Sequence, residues 1–408
     1  MTNNIVGAPA RGSDFFDRET EQRDILGHIR DGNHLLLLAP RRMGKTSLLY
    51  RLTATGRDHG IRAAYESVAD ARDENAFLGK IVVACLKTRE PAAADAFRRL
   101  QRGPFEQLFA VFREAVDTIA LEKFTLKLRE VKPEQSESLA REVARGLRAL
   151  PGVWLIMLDE LPVFVLHLWR LDPTGQRARD FLTWFRDLRQ GEPEGHPVRW
   201  VLAGSIGLDT VARRLRAAAT INDLLPYPLG PFSPNAADAL LQELGARYNL
   251  DLSPPVRQQF LERLVWLNPY AVQALFAALR ARCEDGRIVP TRDAVDAAFE
   301  DLLGHAYRTY FDHWHQRLTD ELGAPDDGLA RRLLNVAARD PHGVSRTTLD
   351  QALATSEPDP EKRRETLTWL LDVLVGDGYL IEDFGAGQTR WRFQLPLLQE
   401  YWRRRYSE

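Results

Sequence analysis

Apolar residues along the chain fall into two patterns. The first is the short uninterrupted run. "HLLLLAP" (34–40), "VWLIMLDE" (153–160) and "VRWVLAGSIG" (198–207) do not alternate, so each reads as a strand buried on both faces. "IRAAYESV" (61–68) gives a further strand. The second pattern is helical spacing. Between Phe15 and Ile29 the apolar positions 25, 26 and 29 share one helix face, with Asp17 placed to cap it. Residues 74–150 are helical in spacing throughout, broken at Pro91, Pro104 and Pro133. Strands separated by helices predict a parallel α/β sheet.

After the proline-rich "LPYPLGPFSP" (225–234) only helical spacing remains, up to residue 322. Two short helices then flank a turn at Gly343, and a third is stopped by Gly376 and Gly378. "YLIEDF" and "TRWRFQL" alternate across a turn containing Gly385 and Gly387, as a β-hairpin does. Three helices followed by a hairpin predict a winged helix. The expected organisation is a loose polar start (1–14) within an N-terminal segment (1–33), an α/β core (34–232) carrying the helical insertion 74–150, a helical lid (233–322), and a winged-helix domain (323–408).

The junction "LLLLAPRRMGKTSLLYRL" (35–52) carries the clearest chemistry. A buried strand runs into a charged loop and restarts as a helix at Gly44-Lys45-Thr46-Ser47. A loop that cradles phosphates needs backbone N–H groups close to the ligand, which glycine permits, and a helix N-terminus behind them. Ala39, Pro40, Arg41, Arg42, Met43, Gly44, Lys45, Thr46 and Ser47 would form this loop. Lys45 would reach the β- and γ-phosphates, and Thr46 would offer a hydroxyl to Mg²⁺. The usual first glycine is replaced by Ala39, which fits only if that residue needs no positive φ.

The strand 153–159 ends in two acids. Asp159 would serve Mg²⁺ at the carboxyl edge of the sheet, and Glu160 would orient or activate a water. Ser205, ending the next strand, would either contact the γ-phosphate or cap the following helix. Arg213, Arg214 and Arg216 follow it. They read as a solvated helix face or as a source of the arginine that meets γ-phosphate charge. Arg41 and Arg42 are a second source, or would pair with acidic neighbours or face a partner.

These segments, with "FFDRETEQRDIL", "LGPFSPNAADALL" and "WLNPYAVQALFAAL", occur in the order seen in archaeal-type ATPases of the STAND and AAA+ part of the P-loop NTPases. The chain resembles that family from Phe15 onward. The resemblance implies a P-loop NTPase sheet with a helical lid and a C-terminal winged helix, binding ATP and Mg²⁺. It places Phe16, Asp17 and Arg18 beside the adenine. The family's G-x-P element, which contacts the nucleotide, reads Asn268-Pro269-Tyr270 here, so only Pro269 carries over. In such proteins the winged helix binds DNA or a protein module.

Bulk composition narrows the reading little. The formal net charge is -2, so no global attraction to nucleic acid or anionic lipid is visible. Residues 325–408 hold 12 Lys/Arg against 14 Asp/Glu, which disfavours a strongly DNA-binding wing, although Arg346, Lys362, Arg363 and Arg364 could line one face. Two cysteines, no basic-apolar leader and no long uncharged apolar run point to a reducing cytoplasm. His305, His313 and His315 do not form a metal site, because positions two apart diverge on a helix. Tyr307, Tyr310, Phe311 and Trp314 read as packing between lid and winged helix. The leading expectation is a Mg²⁺-dependent ATPase acting as a conformational or assembly switch. The alternatives are an ATP-controlled DNA-binding regulator or loader and a nucleotide-binding scaffold without turnover. Residues 74–150 offer a protein-partner surface, and an arginine acting in trans would require a homo-oligomer.

Overall fold

The computed structural model describes residues 2–98, 100, 105–112, 117–128, 130–191, 198–204, 207–384 and 387–406. Pro104, Ser205 and Gly385, singled out above, lie outside the described residues. Five parallel strands form the main sheet: β1 (His34–Leu38), β2 (Ile61–Ser67), β3 (Val153–Asp159), β4 (Val198–Gly204) and β5 (Leu224–Pro228). Their order is β2-β3-β4-β1-β5. The apolar runs account for the centre. Leu35, Leu36 and Leu37 of β1 and Trp154 through Leu158 of β3 are each at most 4 % exposed, as strands covered on both faces require. Leu38 pairs with Gly204, and Leu158 and Leu36 both pair with Leu202, so β1, β3 and β4 end along one edge.

One strand escaped the pattern. Pro226 and Pro228 read as breaks, yet both lie in β5. The strand is at the sheet edge beside β1, where a missing N–H on the outer side costs no ladder bond.

The chain divides into two compact units. One contains Met1–Asp17, Ala39–Ser47 and Leu229–Glu408; the other contains Arg18–Leu38 and Leu48–Pro228. The second holds the main sheet and its covering helices. There Phe77 stacks on Phe164 at 5.2 Å and meets Phe181 and Phe185 edge-on at 4.9 and 5.2 Å. Among the described residues from 74 to 148 the regular elements are all helices, from Glu74–Lys87 to Ser136–Arg148.

The first unit is mainly helical. Helices Pro234–Arg247, Pro254–Leu264, Pro269–Arg282, Arg292–Leu302 and Thr309–Leu322 precede helices Asp326–Ala338, Arg346–Leu353 and Pro360–Gly376. With β6 (Val344–Ser345), β7 (Leu380–Asp383) and β8 (Arg390–Phe393), antiparallel in the order β6-β8-β7, the last three make the winged helix. The tyrosine hydroxyl of Tyr379 donates to the Trp314 carbonyl at 2.6 Å, and Phe311 stacks on Tyr401 at 4.7 Å, so the aromatic stripe is packing, as its spacing indicated. The first residues are not loose. Thr2 Oγ1 donates to Glu243 at 3.0 Å, and Asn4 Nδ2 donates to the Gln273 carbonyl at 2.9 Å. Polar side chains, which carry no periodicity, hold this segment. Among the described residues no helix is long and apolar enough to cross a membrane, and Cys85 and Cys283 are buried free thiols.

Candidate functional site

The loop after β1 belongs to the helical unit. Ala39 is buried and has no positive φ, so the missing glycine is accommodated. Two residues bracketing Met43 turn left-handed instead: Arg42 at φ 65° and Gly44 at φ 87°. Gly44 needs no side-chain tolerance there, whereas the same region costs Arg42 about 1 kcal/mol. Lys45, 7 % exposed, opens the helix Lys45–Thr55 and donates from Nζ to the carbonyls of Ala39 at 2.6 Å and Pro40 at 3.2 Å. The cation therefore lies within the curve of its own loop. Thr46 is the second residue of that helix, and Ser47 Oγ accepts from the Ala10 amide at 3.0 Å.

The lid side of this unit grips the same loop. Asn268 caps helix Pro269–Arg282 by accepting from the Tyr270 and Ala271 amides, with Pro269 at the first turn. Its spare amide donates to the Arg41 carbonyl at 3.2 Å and approaches Met43 Sδ at 3.8 Å. Among the described residues Arg42 pairs with no acid. Its guanidinium lies 3.8 Å from the Tyr270 ring centroid, and Nε donates to His313 Nε2 at 3.1 Å. Burial first, then Arg42, push His313 down to about 4, so the ring is neutral and can accept. Phe16 meets Phe232 edge-on at 6.2 Å.

In the α/β unit β3 delivers Asp159, 3 % exposed, to the carboxyl edge of the sheet. Its Oδ1 accepts from the Glu160 amide at 3.0 Å, and Tyr65 donates to Oδ2 at 3.4 Å. Burial, then Asp159, raise the Tyr65 phenol well above its usual range. Glu160 is left-handed, φ 61°, at the start of helix Leu161–Leu171. Strain of this kind concentrates at functional positions. Arg18, at the N-cap of helix Glu19–Arg30 in place of Asp17, makes no side-chain cap and pairs with Glu21 at 2.6 Å. Arg213 is exposed and pairs with Asp209 at 3.5 Å on helix Leu208–Arg214, which also carries Arg214. Among the described residues no group of three or more His, Cys, Asp or Glu could hold a metal ion.

No protein-family profile matches the sequence. No curated protein matches it either. Solved structures do. The Walker-type ATPase of Pyrococcus abyssi aligns with 98 % of this chain and 99 % of its own at a TM-score of 0.58 and 16 % identity. The fold is that of a Walker-type ATPase. Two weaker matches are the Aeropyrum pernix ORC2 protein (TM-score 0.49, 13 % identity, 96 % and 95 % covered) and the Pyrobaculum aerophilum Cdc6p (TM-score 0.46, 14 % identity, 98 % and 95 % covered). The resemblance in the motifs is thus matched by the architecture of the chain.

Within this Walker-type fold, the basic residues expected on the winged helix are largely engaged. Arg363 donates to Asp350 at 3.0 Å, Lys362 pairs with Glu357 at 2.6 Å, and Arg346 donates to Thr368 at 2.5 Å. Asn268, Tyr270, His313 and Tyr65 are the residues of interest that motif reading did not assign. Only Asn268 had a sequence signal, the Asn-Pro pair that starts a helix.

Proposed function

We propose that the chain binds ATP with Mg²⁺ and hydrolyses it slowly or on stimulation, its nucleotide state setting conformation or assembly. The observation that carries this reading is Lys45: a buried ammonium curled inside a loop that turns left-handed at Arg42 and Gly44. Such alternation lines backbone N–H groups for anions. Lys45 and the loop residues 39–47 would hold the phosphates. The donor set also suits the metal, because the Thr46 hydroxyl and the Asp159 carboxylate are hard oxygen ligands. Bound Mg²⁺ would neutralise charge developing on the phosphate oxygens. Glu160 would orient or deprotonate the attacking water. Ser205, Arg213 and Arg214 would meet the γ-phosphate, and Phe16, Arg18 and Pro269 would contact the nucleotide. The cytoplasm is the compartment that two free thiols fit.

A DNA-controlled version of this activity rests on the winged helix alone. The ion pairs at Lys362 and Arg363 weigh against a large phosphate footprint. Steady-state ATP hydrolysis with and without duplex DNA, beside Glu160→Gln, separates the two readings. Turnover that disappears in Glu160→Gln supports the ATPase. Strong stimulation by DNA moves the winged helix to the centre, and wild-type binding of ATP by Lys45→Ala overturns the reading.

A further inference from the structure

The phosphate loop is not free-standing. Arg42 has a backbone that only glycine adopts without cost, φ 65°, and no glycine is present there to adopt it. Two elements hold it in that state. Helix Pro269–Arg282 supplies the Tyr270 ring under the guanidinium, 3.8 Å to the centroid, and helix Thr309–Leu322 supplies His313, 3.1 Å from Nε. One residue earlier, the Asn268 side-chain amide holds the Arg41 carbonyl. The segment presenting Asn268 is itself bent. Val265 has φ 61° and ψ −57°, and the Trp266 amide donates to the Leu264 carbonyl at 2.6 Å, a γ-turn that a β-branched residue adopts only under strain. Two strained residues thus flank a single clamp, and strain persists only where neighbouring contacts over-determine it.

We propose that Asn268, Tyr270 and His313 are positioning residues for the phosphate loop, fixing its bend through the Arg41 carbonyl and the Arg42 side chain. This rests on reading the loop as the nucleotide site. None of the three needs to touch nucleotide. Their effect is to present a loop already bent, so that binding does not have to supply the bend. Asn268 has two separable jobs: its oxygen caps a helix and its nitrogen holds the loop. Aspartate can do the first and not the second.

The test uses the full chain with two readouts: backbone hydrogen exchange of residues 40–46, and affinity for a fluorescent ATP analogue. Asn268→Asp and His313→Leu are expected to speed loop exchange and weaken analogue binding, each by about tenfold, the scale of one lost hydrogen bond. His313→Gln, which keeps an acceptor for Arg42, is expected to stay near wild type in both. Arg42→Gly, which no longer needs holding, should make His313→Leu silent when the two are combined. Thermal melting reports whether each variant is folded. Wild-type exchange at the loop in folded Asn268→Asp and His313→Leu overturns the proposal. Lys45→Ala is the control for the nucleotide reading. If it binds the analogue normally, that reading falls, while loop exchange still decides whether the clamp exists.

Discussion

The backbone amide of Trp200 donates to Nδ1 of His34 at 3.2 Å, while Nε2 of the same ring faces the Arg189 carbonyl at 3.1 Å. An amide can donate only to a bare nitrogen, so His34 is neutral with its proton on Nε2. The ring joins β1 to β4 at their amino ends, and a proton on Nδ1 would break the junction. Burial is the main cause that pushes His34 down to about 4, with Arg189 and Arg199 adding to it and Asp223 opposing. A group protonated more readily when unfolded makes the folded state lose stability as pH falls. The loss is absent above about 6.5, grows below it, and levels off near 4. Chemical denaturation from pH 7 to 5 should therefore show falling stability, by on the order of 2 kcal/mol from this ring toward the acid end. His34→Gln should flatten the slope. A slope unchanged by that substitution would remove His34 as its source.

Arg189 is fully buried and forms a bidentate pair with Asp223, both bonds 2.9 Å, with Nη2 also donating to the Thr220 carbonyl. Asp223 immediately precedes the edge strand β5. Removing one partner leaves an uncompensated charge and should cost about 3–5 kcal/mol. Asp223→Ala should be worse than Arg189→Met, because it strands the more deeply buried of the two ions. Denaturation midpoints of the two variants and of their combination check this. The combination should cost less than the sum.

Glu160 is expected to show stability and turnover pulling apart. Glycine adopts φ 61° freely, so Glu160→Gly should hold or raise stability by up to about 1 kcal/mol while abolishing ATP turnover. Melting temperature and phosphate release, measured on one preparation, read both effects. Turnover surviving in a stable Glu160→Gly would dismiss Glu160 from catalysis.

Val265 offers a strain test away from any charge. It is 64 % exposed, so its side chain contributes little burial, and its γ-turn favours glycine. Val265→Gly should raise the melting temperature by the equivalent of about 1 kcal/mol. A lower melting temperature would mean that the turn is not strained.

Gly378, φ 80°, sits where the winged helix meets the phosphate loop. A Cβ there would come within 2.6 Å of Pro40 Cβ and 3.3 Å of Trp266. Gly378→Ala should cost about 2–4 kcal/mol from backbone and crowding together, and should weaken nucleotide binding by displacing Pro40. Unfolding and ATP-analogue titration measure the two effects separately.

Much of this was legible in the chain. Uninterrupted apolar runs marked β1, β3 and β4, because strands covered on both faces have no polar alternation to lose. Lys45 and Asp159 could be proposed as site residues because a short loop leads from one such run to Lys45 and another run ends in Asp159. β5 was hidden by Pro226 and Pro228, whose reading depends on a sheet-edge position that only tertiary structure reveals. Thr2 and Asn4 were hidden because their order comes from single polar bonds rather than from a repeated pattern. The partners of Arg42 lay beyond any local rule. Tyr270 and His313 are remote in sequence, and neither carries the opposite charge that a pairing rule would seek.

The helical unit draws on three separated lengths of chain, Met1–Asp17, Ala39–Ser47 and Leu229–Glu408. On the ribosome these lengths emerge in order, and domains tend to fold as they appear. The phosphate loop is thus synthesised early and finished late, since Asn268, His313 and Gly378 are translated more than two hundred residues after it. A nascent chain stopped before residue 229 has the strands of the main sheet in hand but lacks Asn268, Tyr270, His313 and Gly378. With the loop read as the nucleotide site, a chain lacking the helices that carry Asn268 and His313 would bind nucleotide more weakly than one that has them, so affinity would rise late in synthesis.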